Sequence, residues 1–135
     1  MEGKGILINP KGIKYEGTFQ NGKKHGYGVM TYPDGACYKG SFVKGKVEGK
    51  GIYVWPSGKK YEGNHKEDYE SGLGVMTYPD GECYRGSFVK GKYEGKGIYI
   101  WPSGKKYEGN FKEDYRSGEG VMTYPDGACY KGSFV

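Results

Sequence analysis

Few of the residues that build active sites or thick cores are present. Only two histidines occur in 135 residues, and no apolar run approaches the roughly 18 residues of a membrane-crossing helix. Residues 1 to 20 lack the apolar stretch of a secretory leader, so a cytoplasmic location is expected, peripheral at a membrane or the cytoskeleton at most. Hydrophobic residues make up 35%, which suits one thin-cored domain better than two compact ones. The three cysteines, Cys37, Cys83 and Cys129, stand 46 residues apart. With four strands between equivalents at about 4.8 Å each, they would be roughly 19 Å apart, far beyond the roughly 7 Å between α-carbons that a disulfide tolerates. No intrachain disulfide is expected. Their spacing is not that of a zinc site, so they read as small packing residues.

Glycine (27) and tyrosine (15) are abundant, and they recur on a fixed step. Tyr-Lys/Arg/Glu-Gly begins at Tyr15, Tyr38, Tyr61, Tyr84, Tyr107 and Tyr130, always 23 residues on. A strict period of that size marks an array in which each unit covers the apolar face of its neighbour. The array divides into a partial repeat over residues 1–14, repeats starting at 15, 38, 61, 84 and 107, and a truncated repeat over 130–135. A double period lies on top of the first. Residues 38–83 and 84–129 differ at only seven of 46 positions, including 47/93, 65/111 and 73/119. Repeats carrying Tyr-Pro-Asp-Gly thus alternate with repeats carrying Trp-Pro-Ser-Gly.

Within each unit, polar and apolar residues alternate with period two, as in Tyr38-Lys39-Gly40-Ser41-Phe42. Twelve strands are expected, from residues 4–8 to 128–134, with 27–32, 50–55, 73–78, 96–101 and 119–124 as the second strands of the repeats. Pro33-Asp34-Gly35 has the chemistry of a tight turn: proline presets φ at its first position and glycine accepts a positive φ at its last. A type I turn with a glycine bulge there sets Met30 opposite Tyr38 and Gly28 opposite Gly40. One face then gathers tyrosine, phenylalanine, methionine and tryptophan, with glycines between them. Glycine inside a strand normally weakens it, and its recurrence is explained if rings lie flat across the bare backbone. The opposite face carries Val29, Ile52, Val75, Ile98 and Val121, with Glu16, Lys39, Glu62, Arg85, Glu108 and Lys131 alternating in sign as solvated surface.

The unit from Tyr15 to Gly40, Tyr-Glu-Gly-x-Phe-x-x-Gly-Lys-x-x-Gly-x-Gly…Tyr-Pro-Asp-Gly-x-x-Tyr-x-Gly, resembles the MORN (membrane occupation and recognition nexus) repeat across essentially the whole chain. The resemblance implies an all-β fold: an elongated single-layer twisted antiparallel sheet of stacked 23-residue β-hairpins. It also implies non-catalytic work as a scaffold, a dimeriser, a docking groove or a tether to phosphoinositides. Lys66–Gly72 and Lys112–Gly118 depart from the family's Asn-Gly-Lys-x-x-Gly pattern and are expected to form longer loops.

Apparent catalytic signals have plainer readings, so neither an enzyme nor a cofactor is expected. Gly40–Lys46 and Gly86–Lys92 mimic the start of a phosphate loop, yet Val47 and Tyr93 stand where a Mg²⁺-binding hydroxyl belongs and no helix follows. Asp34, Asp80 and Asp126 are turn residues. His25 is placed in a turn, and His65 occupies the position of Phe111. The expected partner is a protein or peptide segment, held by an aromatic groove of Tyr32, Tyr53, Trp55, Tyr78, Tyr99 and Trp101, where large amphipathic rings supply anchors. Self-association as a homo-oligomer is expected through terminal strands whose edges carry neither charge nor proline as a block. The alternative is an anionic phospholipid surface met by Lys59, Lys60, Lys105 and Lys106. Nucleic acid is not expected, because the net charge of +5 is broken into clusters with Glu67-Asp68 and Glu113-Asp114 between them.

Overall fold

The computed structural model describes residues 2–134. Twelve strands follow one another along the chain: β1 (Gly3–Ile8), β2 (Lys14–Gln20), β3 (Lys23–Thr31), β4 (Cys37–Val43), β5 (Lys46–Val54), β6 (Lys60–Lys66), β7 (Tyr69–Thr77), β8 (Cys83–Val89), β9 (Lys92–Ile100), β10 (Lys106–Lys112), β11 (Tyr115–Thr123) and β12 (Cys129–Phe134). They form one antiparallel sheet in sequence order, and no helix occurs among the described residues. The expected register holds, with Met30 paired to Tyr38 and Gly28 to Gly40.

Two kinds of turn alternate. At one rim are three-residue turns: Tyr32 N–H donates to the Ala36 carbonyl at 2.9 Å and Gly35 N–H to the Tyr32 carbonyl at 2.9 Å, while the Asp34 carboxylate accepts from Ala36 N–H. Gly35 takes φ +96°, the left-handed value that closes such a bulged turn. The other rim departs from the sequence expectation. Residues 66–72 and 112–118 are not longer loops. Glu67 and Asp68 have φ +48° and +77°, and Glu113 and Asp114 have +47° and +77°, so each pair is a two-residue hairpin turn. Strands β7 and β11 therefore begin at Tyr69 and Tyr115, and β3, β5 and β9 are likewise longer at their starts than the alternation indicated. His25 accordingly lies inside β3 rather than in a turn.

Positive φ costs a side-chain-bearing residue more than glycine, and here hydrogen bonds compensate. Asp68 N–H donates to the Val47 carbonyl at 3.0 Å while its carboxylate accepts from Val47 N–H at 2.8 Å. Asp114 makes the same two bonds with Tyr93. Each of these turns is thereby tied to the preceding repeat.

The core is one ring deep. Tyr15, Tyr38, Tyr61, Tyr84 and Tyr107 are fully buried, and each hydroxyl donates to the carbonyl three residues on: Thr18, Ser41, Asn64, Ser87 and Asn110. Those carbonyls sit where the pairing slips, for example between Gly40↔Gly51 and Phe42↔Val47. The phenol thus partners a backbone group at an interruption of the ladder, which would otherwise be costly to bury. Each of these five tyrosines also meets two rings edge-on. Tyr38 lies 5.2 Å from Phe42 and 5.1 Å from His65, and Tyr61 lies 5.0 Å from His65 and 4.9 Å from Phe88. Edge-to-face contacts of this kind contribute about 0.5–1.5 kcal/mol each beyond the area they bury, and here they link every repeat to the next.

Candidate protein-binding surfaces

The aromatic face and its reverse offer different surfaces. On the aromatic side, at the rim of three-residue turns, the sequence-expected groove residues assemble as two linked clusters. Tyr32 and Tyr53 are 6.1 Å apart, Tyr53 and Trp55 are 4.6 Å apart, and the Lys59 ammonium lies over the Trp55 ring at 4.4 Å and the Tyr78 ring at 5.7 Å. Forty-six residues on, Tyr78 and Tyr99 are 6.4 Å apart, Tyr99 and Trp101 are 4.7 Å apart, and Lys105 covers Trp101 at 4.4 Å. All six aromatics are half-buried and flank the core. Burial holds the Tyr78 hydroxyl proton to about 12, and Tyr99, which donates to the Glu82 carboxylate, is raised as well.

The four lysines do not form one patch. Lys59 and Lys105 lie over indoles, whereas Lys60 and Lys106 precede the buried Tyr61 and Tyr107 and so fall on the reverse face by strand alternation.

That reverse face holds an open furrow, which the sequence reading did not place. Its floor is the line of paired glycines, and two stretches of it enclose about 630 and 690 Å³. One wall carries Ile52, Val75, Ile98 and Val121 with the alternating charges, and the other carries Tyr27, Lys50, Leu73 and Lys96. Tyr27 and Leu73 are 64% and 68% exposed, among the most exposed large apolar side chains of the chain. Among the described residues the one ion pair within 4 Å is Lys14–Glu16, and both of its side chains are solvated, so Lys39, Glu62, Arg85, Glu108 and Lys131 of the charge row stand outside any ion pair. The furrow's signal was present in the sequence as Gly-x-Gly on alternate strands, but the glycines' role under the rings accounted for them fully.

The MORN repeat model matches residues 15–37, 38–60, 61–83, 84–106 and 107–129. The chain belongs to the MORN-repeat family. No curated protein matches it significantly. Among solved structures it is similar to the Drosophila melanogaster SAS-4 (dCPAP) TCP domain in complex with a proline-rich motif of Ana2, with TM-score 0.43, 13% identity, and 98% of this chain and 85% of that one covered. It is also similar to the microcephaly protein CPAP G-box domain, with TM-score 0.46, 15% identity, and 98% and 100% covered. Likeness of this degree carries no functional implication.

Two MORN-array residues went unrecognised in the sequence. Tyr93, in the place of Val47, is 7% exposed and stacks on Tyr84 at 3.9 Å with an 11° interplanar angle. His65, in a phenylalanine position, is 5% exposed with neither ring nitrogen hydrogen-bonded. Burial pushes its pKa down, outweighing the nearby Gly49 and Gly63 backbone and Asp68, which favour the charged form. The cysteines are free: Cys37 and Cys83 are half-buried and Cys129 is exposed.

Proposed function

We propose that this MORN-repeat chain is a non-catalytic scaffold that holds an extended protein segment along its furrow and associates with copies of itself through its terminal strands. The observation that carries the reading is the furrow: bare glycine backbone as floor, exposed Tyr27 and Leu73 on one wall, and Lys39 and Glu62, neither in an ion pair, on the other. Such a surface combines apolar anchors with charges that select register. The aromatic row of Tyr32, Tyr53, Trp55, Tyr78, Tyr99 and Trp101 is the second candidate surface, favoured by its repetition at a 46-residue spacing. Crosslinking pull-down from the native cell, repeated with Leu73→Glu and with Trp101→Ala, separates the two. Loss of the captured partner with Leu73→Glu alone supports the furrow, loss with Trp101→Ala alone moves the function to the aromatic row, and capture unchanged by both overturns the reading.

Peripheral binding to anionic phospholipid is the second reading. It is favoured by Lys59 and Lys105 standing beside indoles on one rim, at about 1 kcal/mol per basic residue near an anionic leaflet. Liposome sedimentation at low and physiological salt tests it. Binding absent at low salt, or unchanged when Lys59 and Lys105 become Glu, removes it.

A further inference from the structure

The two outermost strands carry the two halves of a strand pair that the chain already makes twice inside itself. Strand β12 has the same six residues, Cys-Tyr-Lys-Gly-Ser-Phe, as Cys37–Phe42 of β4. Strand β1, Gly-Lys-Gly-Ile-Leu-Ile, differs from Gly95–Ile100 of β9 only at Leu7, where β9 has Tyr99. Internally the corresponding strands lie side by side: β4 on β5 with Tyr38↔Tyr53, Lys39↔Ile52 and Gly40↔Gly51, and β8 on β9 likewise.

Both ends already have the backbone and ring geometry of that pair. Gly3 takes φ +73°, beside +81° at Gly49 and +80° at Gly95, where the value shapes the bulge against a preceding strand. Among the described residues no strand precedes β1 in the sheet, yet the conformation is present. At the other end the Tyr130 hydroxyl donates to the Ser133 carbonyl at 3.3 Å, as Tyr38 donates to Ser41, and its ring lies over Gly132. What is missing is cover. Tyr130 is 48% exposed where Tyr38 is fully buried, and Ile6 and Ile8 are exposed where Ile52 and Val54 are half-buried.

Resting on the self-association reading and deepening it, we infer that copies of this chain join head to tail, β12 of one on β1 of the next in the β4–β5 register. Cys129 then stands opposite Ile8 of the next copy, Tyr130 opposite Leu7, Lys131 opposite Ile6 and Gly132 opposite Gly5. Tyr130 gains its second edge-on ring from Phe19 of that copy, the position that His65 fills for Tyr38. The contact joins two different surfaces, so each addition leaves one β1 and one β12 edge free, and the assembly grows as an open filament rather than closing as a dimer. The area of a single strand pair makes it a weak, concentration-dependent association.

The test uses the full 135-residue chain with Cys37→Ala and Cys83→Ala, leaving Cys129 as its one thiol, and adds either Ile8→Cys or Ile6→Cys. Directly opposed residues of antiparallel strands lie within disulfide reach, whereas diagonal ones are about 7–8 Å apart. Under oxidised glutathione, Ile8→Cys is expected to give a ladder of dimers, trimers and longer species on non-reducing gels, with at least tenfold less from Ile6→Cys. Light scattering of the unmodified chain is expected to show mass rising with concentration, and Leu7→Asp to suppress that rise. Dimers without a ladder, or equal linkage at both positions, overturn the head-to-tail register while leaving self-association standing. A monomer at every concentration overturns both.

Discussion

The Tyr84 ring lies so close over Gly97 that a β-carbon there would sit 2.5 Å from its hydroxyl oxygen and 2.6 Å from Cε1. Gly97→Ala must therefore displace a fully buried ring, and overpacking of this kind is expected to cost about 3 kcal/mol. Chemical denaturation checks the value. In a Tyr84→Ala background the same substitution should cost much less, because the obstructing ring is gone.

His65 interrupts the chain of phenyl rings with two buried nitrogens that lack partners. Its folded pKa is lowered from 6.5, so below about pH 6.5 the unfolded chain binds a proton that the folded chain resists. Stability should be fully present above that pH and fall as pH drops through the window down to the folded value. His65→Phe is expected to add about 1–2 kcal/mol at pH 7 by removing the unsatisfied nitrogens and to flatten the acid limb. Melting temperature measured against pH for both proteins is the check.

The opposite sign applies at alkaline pH. Burial raises Tyr38 and Tyr84 from 10 to about 12, so their contribution is complete below about pH 10 and is lost as pH rises toward 12. Phenolate absorbance and circular dichroism should change together there, since ionising these rings and unfolding the sheet are one event. Phenolate appearing fully near pH 10 with the sheet intact would contradict the burial.

Tyr93 and Val47 fill equivalent places, but only Tyr93 stacks on the neighbouring core tyrosine. Tyr93→Val should cost about 1–2 kcal/mol, from the lost stacking and buried area. Val47→Tyr should recover a part of that in the first block if Tyr38 accepts the ring as Tyr84 does. Denaturant midpoints of both variants decide.

Much of the sheet was legible because its signals were local and repeated. Pro33-Asp34-Gly35 named its turn, and that turn set Met30 against Tyr38 and Gly28 against Gly40. The Glu67-Asp68 turn was not legible, since neither residue is glycine and its positive φ is stabilised by Val47, 21 residues earlier. Alignment with Lys44-Gly45 in the preceding repeat carried the only hint. The furrow was hidden for a different reason: glycine was explained by the ring on one side of the sheet, and the same missing side chain also opens the other. The four lysines were grouped by sequence adjacency, whereas strand alternation sends Lys59 and Lys60 to opposite faces.

Each strand hydrogen-bonds only to those before and after it in sequence, so length in this molecule is modular. Splicing in another 46-residue block would add four strands and about 19 Å while leaving the bonding of distant strands as it was. The sheet is graduated by its tyrosines, and the separation of Trp55 from Trp101 is set by the number of repeats between them.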